Sequence, residues 1–485
     1  MKTTSYFSSI VCHKAHRLPA WGLKLATGVL GFWLMTPGVR GEVTLTTLFS
    51  FNGTNGAVPE ATLVQGTDGF LYGTAISGGT NGVSYGGDGT IFRISTNGTF
   101  ETLIFLDRNF AANPQAGLVQ GSDGDFYGTT GFGGPRDSGA VFRVTPAGSF
   151  AVLTNFVWPE GEYPNGLVEG ADGCFYGTMN WGGTNDGPAG ACGTVFKITT
   201  NGAITTLLSF NGTNGANPQS GLLRADDGNF YGTTVNGGTN GGWGTVFKMT
   251  PDGALTTLAS FNGTNGAAPM SPPIRTADGS LYGTTFAGGI YFNGTPYTGI
   301  GTVYKIAPDG GFTTLVWFNN TNGANSSFSG LLQARDGNLY GTTERGGAYQ
   351  RGTIFSLTTN GVLTTLVSFG PNDGREPSAG LVQTGDGVFY GVTMNGGDYD
   401  LGTIFRLTIN PDRPVLGIAA LSVNTIKLTW DAVAGNVYQL QSNPELSSTN
   451  WVNAGLSITG VNATITVSDT VGPGPQRFYR VVVLP

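Results

Sequence analysis

Apolar side chains in this chain come in short runs whose members stand side by side, as in Phe230-Tyr231 and Val246-Phe247, with Gly, Asn, Asp and Pro between the runs. Strict alternation would mark strands wet on one face, whereas adjacent apolar residues mark strands covered on both. The stretch Gly221 to Phe261 shows the whole pattern. Leu222-Leu223 opens a strand A, Asp227-Gly228 supplies a two-residue turn, and Phe230 to Thr234 is strand B. A glycine-rich connection, Gly237 to Gly242, leads to strand C at Gly244 to Thr250. Thr250-Pro251-Asp252-Gly253 then turns the chain into strand D, Ala254 to Phe261. The unit predicted is a four-stranded antiparallel meander.

The unit repeats. A Tyr-Gly pair preceded by an aromatic or Leu marks each copy, at Tyr72, Tyr127, Tyr176, Tyr231, Tyr282, Tyr340 and Tyr390, with spacings of 55, 49, 55, 51, 58 and 50 residues. Seven sheets, each sandwiched between copies of itself, predict an all-β fold: a seven-bladed β-propeller of four-stranded blades followed by a small β-sandwich domain. The strand D pattern has its first copy, Thr46 to Phe51, ahead of the first strand A, while the last repeat has none after Thr408. Glu42 to Phe51 is therefore expected to pair with Gly402 to Thr408 and lock the ring with the N-terminal strand. Kelch and WD repeats fit poorly, because Tyr precedes the paired glycines here and no Trp-Asp closes a blade.

Residues 1–41 hold Lys2, Lys14, Arg17, Lys24 and Arg40, no acidic residue, and the 11-residue apolar run Leu25 to Met35. That is too short to span a bilayer and suits a secretory signal cleaved before Glu42. Export leaves 18 basic against 30 acidic residues, a formal charge of −12, which argues against nucleic acid and anionic lipid as partners. Both histidines, His13 and His16, leave with the signal. The mature chain thus lacks imidazole for general-base catalysis, Ser-His-Asp or Cys-His systems, and metal ligation. Of the cysteines, Cys174 and Cys192 remain; a disulfide between them and two unbonded thiols are both open, although hairpin register puts Cys174 nearer Phe196.

The propeller is expected over 42–410. Residues 411–414 read as a linker. Residues 415–485 carry strands of another kind, at Thr425 to Trp430, Val437 to Gln441, Ala463 to Val467 and Phe478 to Val483, which with Trp430, Tyr438 and Trp451 predict a fibronectin type III-like or immunoglobulin-like sandwich.

The ordered series Asp-Gly-x-Phe-Tyr-Gly-Thr-Thr, Gly-Gly and Gly-Thr-Val-Phe-Lys, over about residues 46 to 408, resembles the GloVer tandem repeats of exported bacterial choice-of-anchor and autotransporter-associated proteins. Tyr438-Gln439-Leu440-Gln441-Ser442, Trp451 and Phe478-Tyr479-Arg480 look like their fibronectin-like C-terminal domain. The resemblance implies a secreted or cell-surface protein of unassigned activity and supplies no catalytic residues.

Three features could carry chemistry. The Asp-Gly turns (Asp68, Asp123, Asp172, Asp227, Asp278, Asp336 and Asp386) lack the spaced oxygen series of a calcium loop and read as turn formers. Asn52, Asn211 and Asn262 match a glycosylation sequon within turns. The third feature is loop variation. From Tyr to the strand C aromatic the repeats span 20, 15, 20, 16, 22, 15 and 15 residues, so variation concentrates on the face of the B–C and D–A connections. That face carries Tyr85, Trp158, Trp181, Trp243, Tyr291, Tyr297, Tyr349 and Tyr399, with Phe132 and charges such as Arg136, Asp137, Asp186, Glu344, Arg345, Asp398 and Asp400. Aromatic faces beside carboxylates and amides suit sugar rings, so these eight residues are the candidate ligand contacts, set against the plain reading that they cover their own loops. The function expected is a monomeric, secreted or surface-attached binding module for polysaccharide, without cofactor or metal. A structural or adhesive envelope component is the alternative. A carboxylate-pair glycoside hydrolase or a lyase is the third reading.

Overall fold

The computed structural model describes residues 42–79, 87–157, 160–184, 186–187, 190–326, 328, 330–410, 417–422, 425–432, 437–444, 451–460, 464–470 and 477–484. The expected signal lies outside them. The described secondary structure is all β, without a helix.

Leu45–Thr408 form one compact unit, whose strands make seven antiparallel sheets of four or more strands and a small ribbon, Asp186–Gly187 with Gly190–Ala191. One sheet runs Leu223–Arg224, Phe230–Thr234, Thr245–Met249, Leu255–Ser260 as successive neighbours. Strand A is only two residues long. A feature absent from the hydropathy pattern is a register shift between Val246 and Phe247. It recurs at Ile91/Phe92, Val141/Phe142, Val195/Phe196, Val303/Tyr304 and Ile354/Phe355. Such bulges bend and twist a strand. Val246 and Phe247 are both fully buried, which accounts for their adjacency.

Sheets are joined by a repeated pair of contacts. Each strand B tyrosine faces the first residue of the next strand B, as in Tyr72 on Phe126 (ring centroids 4.0 Å apart), Tyr127 on Phe175 (4.1 Å) and Tyr176 on Phe230 (4.2 Å). The glycine after Tyr is there for space: a Cβ on Gly232 would meet Phe247 at 2.5 Å and Leu222 at 2.8 Å. The Asp of each A–B turn accepts the N–H two residues on and, in five repeats, the Tyr hydroxyl as well. Asp227, for example, takes Asn229 N–H at 3.1 Å, Tyr231 hydroxyl at 2.7 Å and Lys248 at 3.2 Å. The Asn-Gly-Thr segments are turns tied by reciprocal Asn bonds, Asn52 with Asn55 and Asn211 with Asn214.

Strand Glu42–Ser50 shares a sheet with Thr403–Asn410, Phe389–Thr393 and Val382–Gln383. That sheet packs on the one built from Val64 to Phe105. Phe49 stacks on Phe100 at 3.8 Å, Phe51, Phe92, Tyr390 and Ile404 share one buried cluster, and Gly380 N–H donates to Thr62 Oγ1 at 2.9 Å.

Cys174 and Cys192 are not joined. Pairing of Phe175 with Ile198 and Met179 with Thr194 sets the two cysteines beyond opposite ends of the same strand pair, so the disulfide alternative does not form.

The second unit includes Ile409–Pro485. Here Thr425–Asp431 pairs with Gly417–Ser422 and Thr464–Thr470, and Val437–Asn443 pairs with Phe478–Leu484, Val452–Asn453 and Ile458–Thr459. Trp430, Tyr438, Leu440, Tyr479 and Val481 form its core.

Candidate functional site

The site is built from the connection that leads out of each strand D. In all seven repeats one residue there has a left-handed backbone: Val58, Asn113, Tyr163, Asn217, Ala268, Asn325 and Glu376, with φ between 52° and 59°. Pro follows in six of them, and a residue before Pro favours extended backbone, so the conformation costs about 1–3 kcal/mol each time. Hydrogen bonds across the junction between repeats hold it. Asn217 N–H donates to Cys192 O at 2.7 Å and its carbonyl accepts from Val235 N–H at 3.2 Å, while Ala268 bridges Trp243 and Phe286 in the same way. Where the residue is Asn, its side-chain amide adds a third bond to the preceding repeat, from Asn113 to Ile76 O, Asn217 to Asn180 O and Asn325 to Phe286 O. The proline lies on the glycine that opens the preceding strand C. A Cβ on Gly244, whose φ is 103°, would stand 2.7 Å from Pro269 Cδ.

This stitch delivers the residue after the proline of five repeats to one place. Glu60, Gln115, Asn165, Gln219 and Met270, from five successive repeats, line a cavity of about 170 Å³ with Thr62, Ser220 and the half-exposed Phe328. Glu60 is the one ionisable residue among the lining residues. Burial, and secondarily the carboxylate of Glu344, push the Glu60 carboxyl up to about 7. Glu344 follows strand Leu339–Thr343 and lies 3.6 Å from Arg345 Nε.

None of the six aromatic candidates among the described residues lines this cavity. Trp181 is exposed at the end of Phe175–Trp181. Tyr291, Tyr297, Tyr349 and Tyr399 are also exposed, the first two with left-handed backbones of φ 69° and 60°. Trp243 is a correction. Its indole is half-buried, packing edge-on to Phe292 at 5.0 Å and against buried core, so much of it covers its own loop. Tyr85 and Trp158 lie outside the described residues, as does the side chain of Asp186. Two of the charges are used locally: Arg108 pairs with Asp137 at 2.5 Å and lies over Phe132, and Arg375 pairs with Asp400 at 2.8 Å. Among the described residues no group of three His, Cys, Asp or Glu is placed to hold a metal.

Sequence reasoning missed the cavity residues. Their signal was the proline 12 or 13 residues before six of the seven Tyr-Gly tyrosines, at Pro59, Pro114, Pro164, Pro218, Pro269 and Pro377, with a different residue after it in nearly every copy.

Among solved structures, a PL25 ulvan lyase bound to an oligosaccharide is similar at 11% identity over 80% of this chain and 93% of its own, with a TM-score of 0.45. A gluconolactonase from Xanthomonas campestris follows at 11% identity, 76% and 90% coverage and a TM-score of 0.40, and a luciferin-regenerating enzyme at 12%, 76% and 95%, and 0.39. No curated relative matches the chain. The sequence profile of a repeat family matches residues 35–187, 82–297 and 296–416, nearly the whole stretch in which the Tyr-Gly unit recurs. The chain belongs to the Gloeobacter/Verrucomicrobia repeat family.

Proposed function

We propose that this protein is an exported glycan-binding module: a seven-bladed β-propeller closed by its N-terminal strand, with the cavity at one mouth of the central channel. The organisation is a signal over residues 1–41, the propeller over 42–410, a linker over 411–414 and a fibronectin type III-like domain over 415–485. The observation that carries the reading is the shared backbone position that brings Gln115, Asn165, Gln219 and Glu60 around one cavity. The Asn165 amide donates to Thr178 Oγ1 and Pro218 O, which leaves the amides of Gln115 and Gln219 to hydrogen-bond sugar hydroxyls, and Phe328 offers an apolar face beside them. In a meander, the loops bearing Tyr291, Tyr297, Tyr349 and Tyr399 leave on the same side, where they extend the surface for a longer chain. A structural component without a ligand has no need of a conformationally costly position that varies in side chain while keeping its backbone. Hydrolysis by a carboxylate pair needs two acids flanking the bond, and a single ionisable residue lines this cavity.

The test is retention of the secreted chain on a panel of insoluble polysaccharides. Selective retention, lost in the double variant Gln115→Ala/Gln219→Ala and kept in Trp243→Phe, is expected. Absence of retention on every glycan would sink the proposal and leave the structural role.

A further inference from the structure

Glu60 stands apart from its counterparts. The backbone accepts Gln115, Asn165, Gln219 and Met270 at the equivalent place, so a carboxylate there serves no need of the fold. Several other acids of the repeats have a cation beside them: Asp172 has Lys197 at 2.6 Å, Asp227 has Lys248 at 3.2 Å and Asp400 has Arg375 at 2.8 Å. Glu60 has neither a cation nor a hydrogen-bond donor among the described residues, although it is partly withdrawn from water and feels a second carboxylate, Glu344. A carboxylate so placed costs free energy until a cation meets it. The burial that raises its proton affinity also strengthens its attraction for any other positive group.

We propose that Glu60 receives the ammonium group of an amino sugar, and that the ligand of the cavity is a glycan bearing free amines. The inference rests on the glycan-binding reading above. The rest of the lining favours a sugar over a basic peptide, because the amides of Gln115 and Gln219 match ring hydroxyls and Phe328 matches a CH face, whereas a peptide would use the backbone edges that the sheets already occupy. Glu344 adds negative potential that an acidic sugar would have to overcome, with Arg345 as its nearby counter-charge.

The experiment compares the full secreted chain binding glucosamine oligomers and N-acetylglucosamine oligomers of equal length at pH 7. The free-amine series should bind at least about tenfold tighter, the range of a desolvated charge pair. Glu60→Gln should erase that preference, and because Gln already stands there in Gln115 and Gln219, this variant should fold and keep its melting temperature within a few degrees. Equal affinity for both series, or a preference that survives Glu60→Gln, overturns the inference. If other glycans are retained while the amine brings no gain, the binding reading stands and only this inference falls; if no glycan is retained at all, both fall. A lysine-rich peptide that binds more tightly than either oligomer, in a Glu60-dependent way, would reassign the ligand class and overturn the sugar assignment.

Discussion

The two ends of each meander solve the same packing problem in opposite ways. At the A–B turn the solution lies in side chains: Asp, Tyr and a strand C Lys or Arg gather around one carboxylate, and the same residue types return in most repeats. Where the Tyr hydroxyl leaves Asp it finds a carbonyl instead, as Tyr282 does at Thr359 O. At the D–A connection the solution lies in the backbone: a left-handed residue bonded through N–H and C=O across the junction between repeats, with side chains as unlike as Val58, Asn217 and Glu376. The difference teaches where a repeat can afford variety. A position whose side chain holds the fold is fixed, and a position held by its peptide groups leaves the following side chain free to meet a ligand.

Four perturbations separate the frame from the mouth. The largest effect is expected from removing Glu42 to Phe51, which strips buried Phe51 and stacked Phe49 from the first and last sheets and should cost on the order of 5 kcal/mol. A calorimetric melting temperature that does not move would break the closed-ring reading. Next is Gly232→Ala, where the added methyl meets Phe247 and Leu222 and should cost about 2–3 kcal/mol in urea unfolding, with no change in glycan retention at temperatures where the variant is folded. Asp227→Ala should cost about 1–2 kcal/mol at neutral pH. Burial opposes ionisation of Asp227, but the Tyr231 hydroxyl, the Asn229 N–H and Lys248 outweigh it and hold the carboxyl at about 2. Its folded value is thus below the unfolded one, so its stabilisation is present above pH ~4 and fades as pH falls toward 2. The gap between native protein and variant should close over that window; a gap constant down to pH 2 would show that the carboxylate does not act as described.

The smallest effect belongs to the mouth. Glu60 titrates higher folded than unfolded, so the folded state holds an extra proton between pH 4.5 and about 7 and loses relative stability as pH rises through that range. Glu60→Gln should therefore leave the melting temperature unchanged at pH 4.5 and raise it at pH 8, where the gain in stability is on the order of 1 kcal/mol after solvent screening. Equal melting curves at both values would mean that Glu60 is as well solvated as a surface acid.

Strand positions were legible because turn chemistry brackets them. Asp227-Gly228 and Thr250-Pro251-Asp252-Gly253 leave little room for error, and strands expected at Gly244 to Thr250 and Ala254 to Phe261 are found at Thr245–Met249 and Leu255–Ser260. In the C-terminal region, Thr425 to Trp430 and Phe478 to Val483 lie within strands Thr425–Asp431 and Phe478–Leu484 for a similar reason, their β-branched and aromatic density. The bulge at Val246/Phe247 was hidden because a slip in register leaves no trace in residue type. Trp243 was misjudged because an indole among glycines looks exposed in one repeat alone, and its cover, Phe292, arrives from the next. The cavity stayed invisible for a related reason: each contributing repeat gives it only a few residues from a stretch that reads as a polar loop, and only the packing of successive repeats adds those residues into a surface.

The shared sheet of Glu42–Ser50 and Thr403–Asn410 also sets an order of events in time. Most strands of the repeat unit find their partners within a few tens of residues, so those sheets can form as the chain emerges. Glu42–Ser50, the first strand of the repeats to be made, has its partner strand at their far end and must wait for it. Closing so long a loop is slow more than it is unfavourable. Throughout that interval Phe49 and Phe51 stand on an open strand edge, which makes the folding chain most vulnerable to pairing with its neighbours just before it is finished.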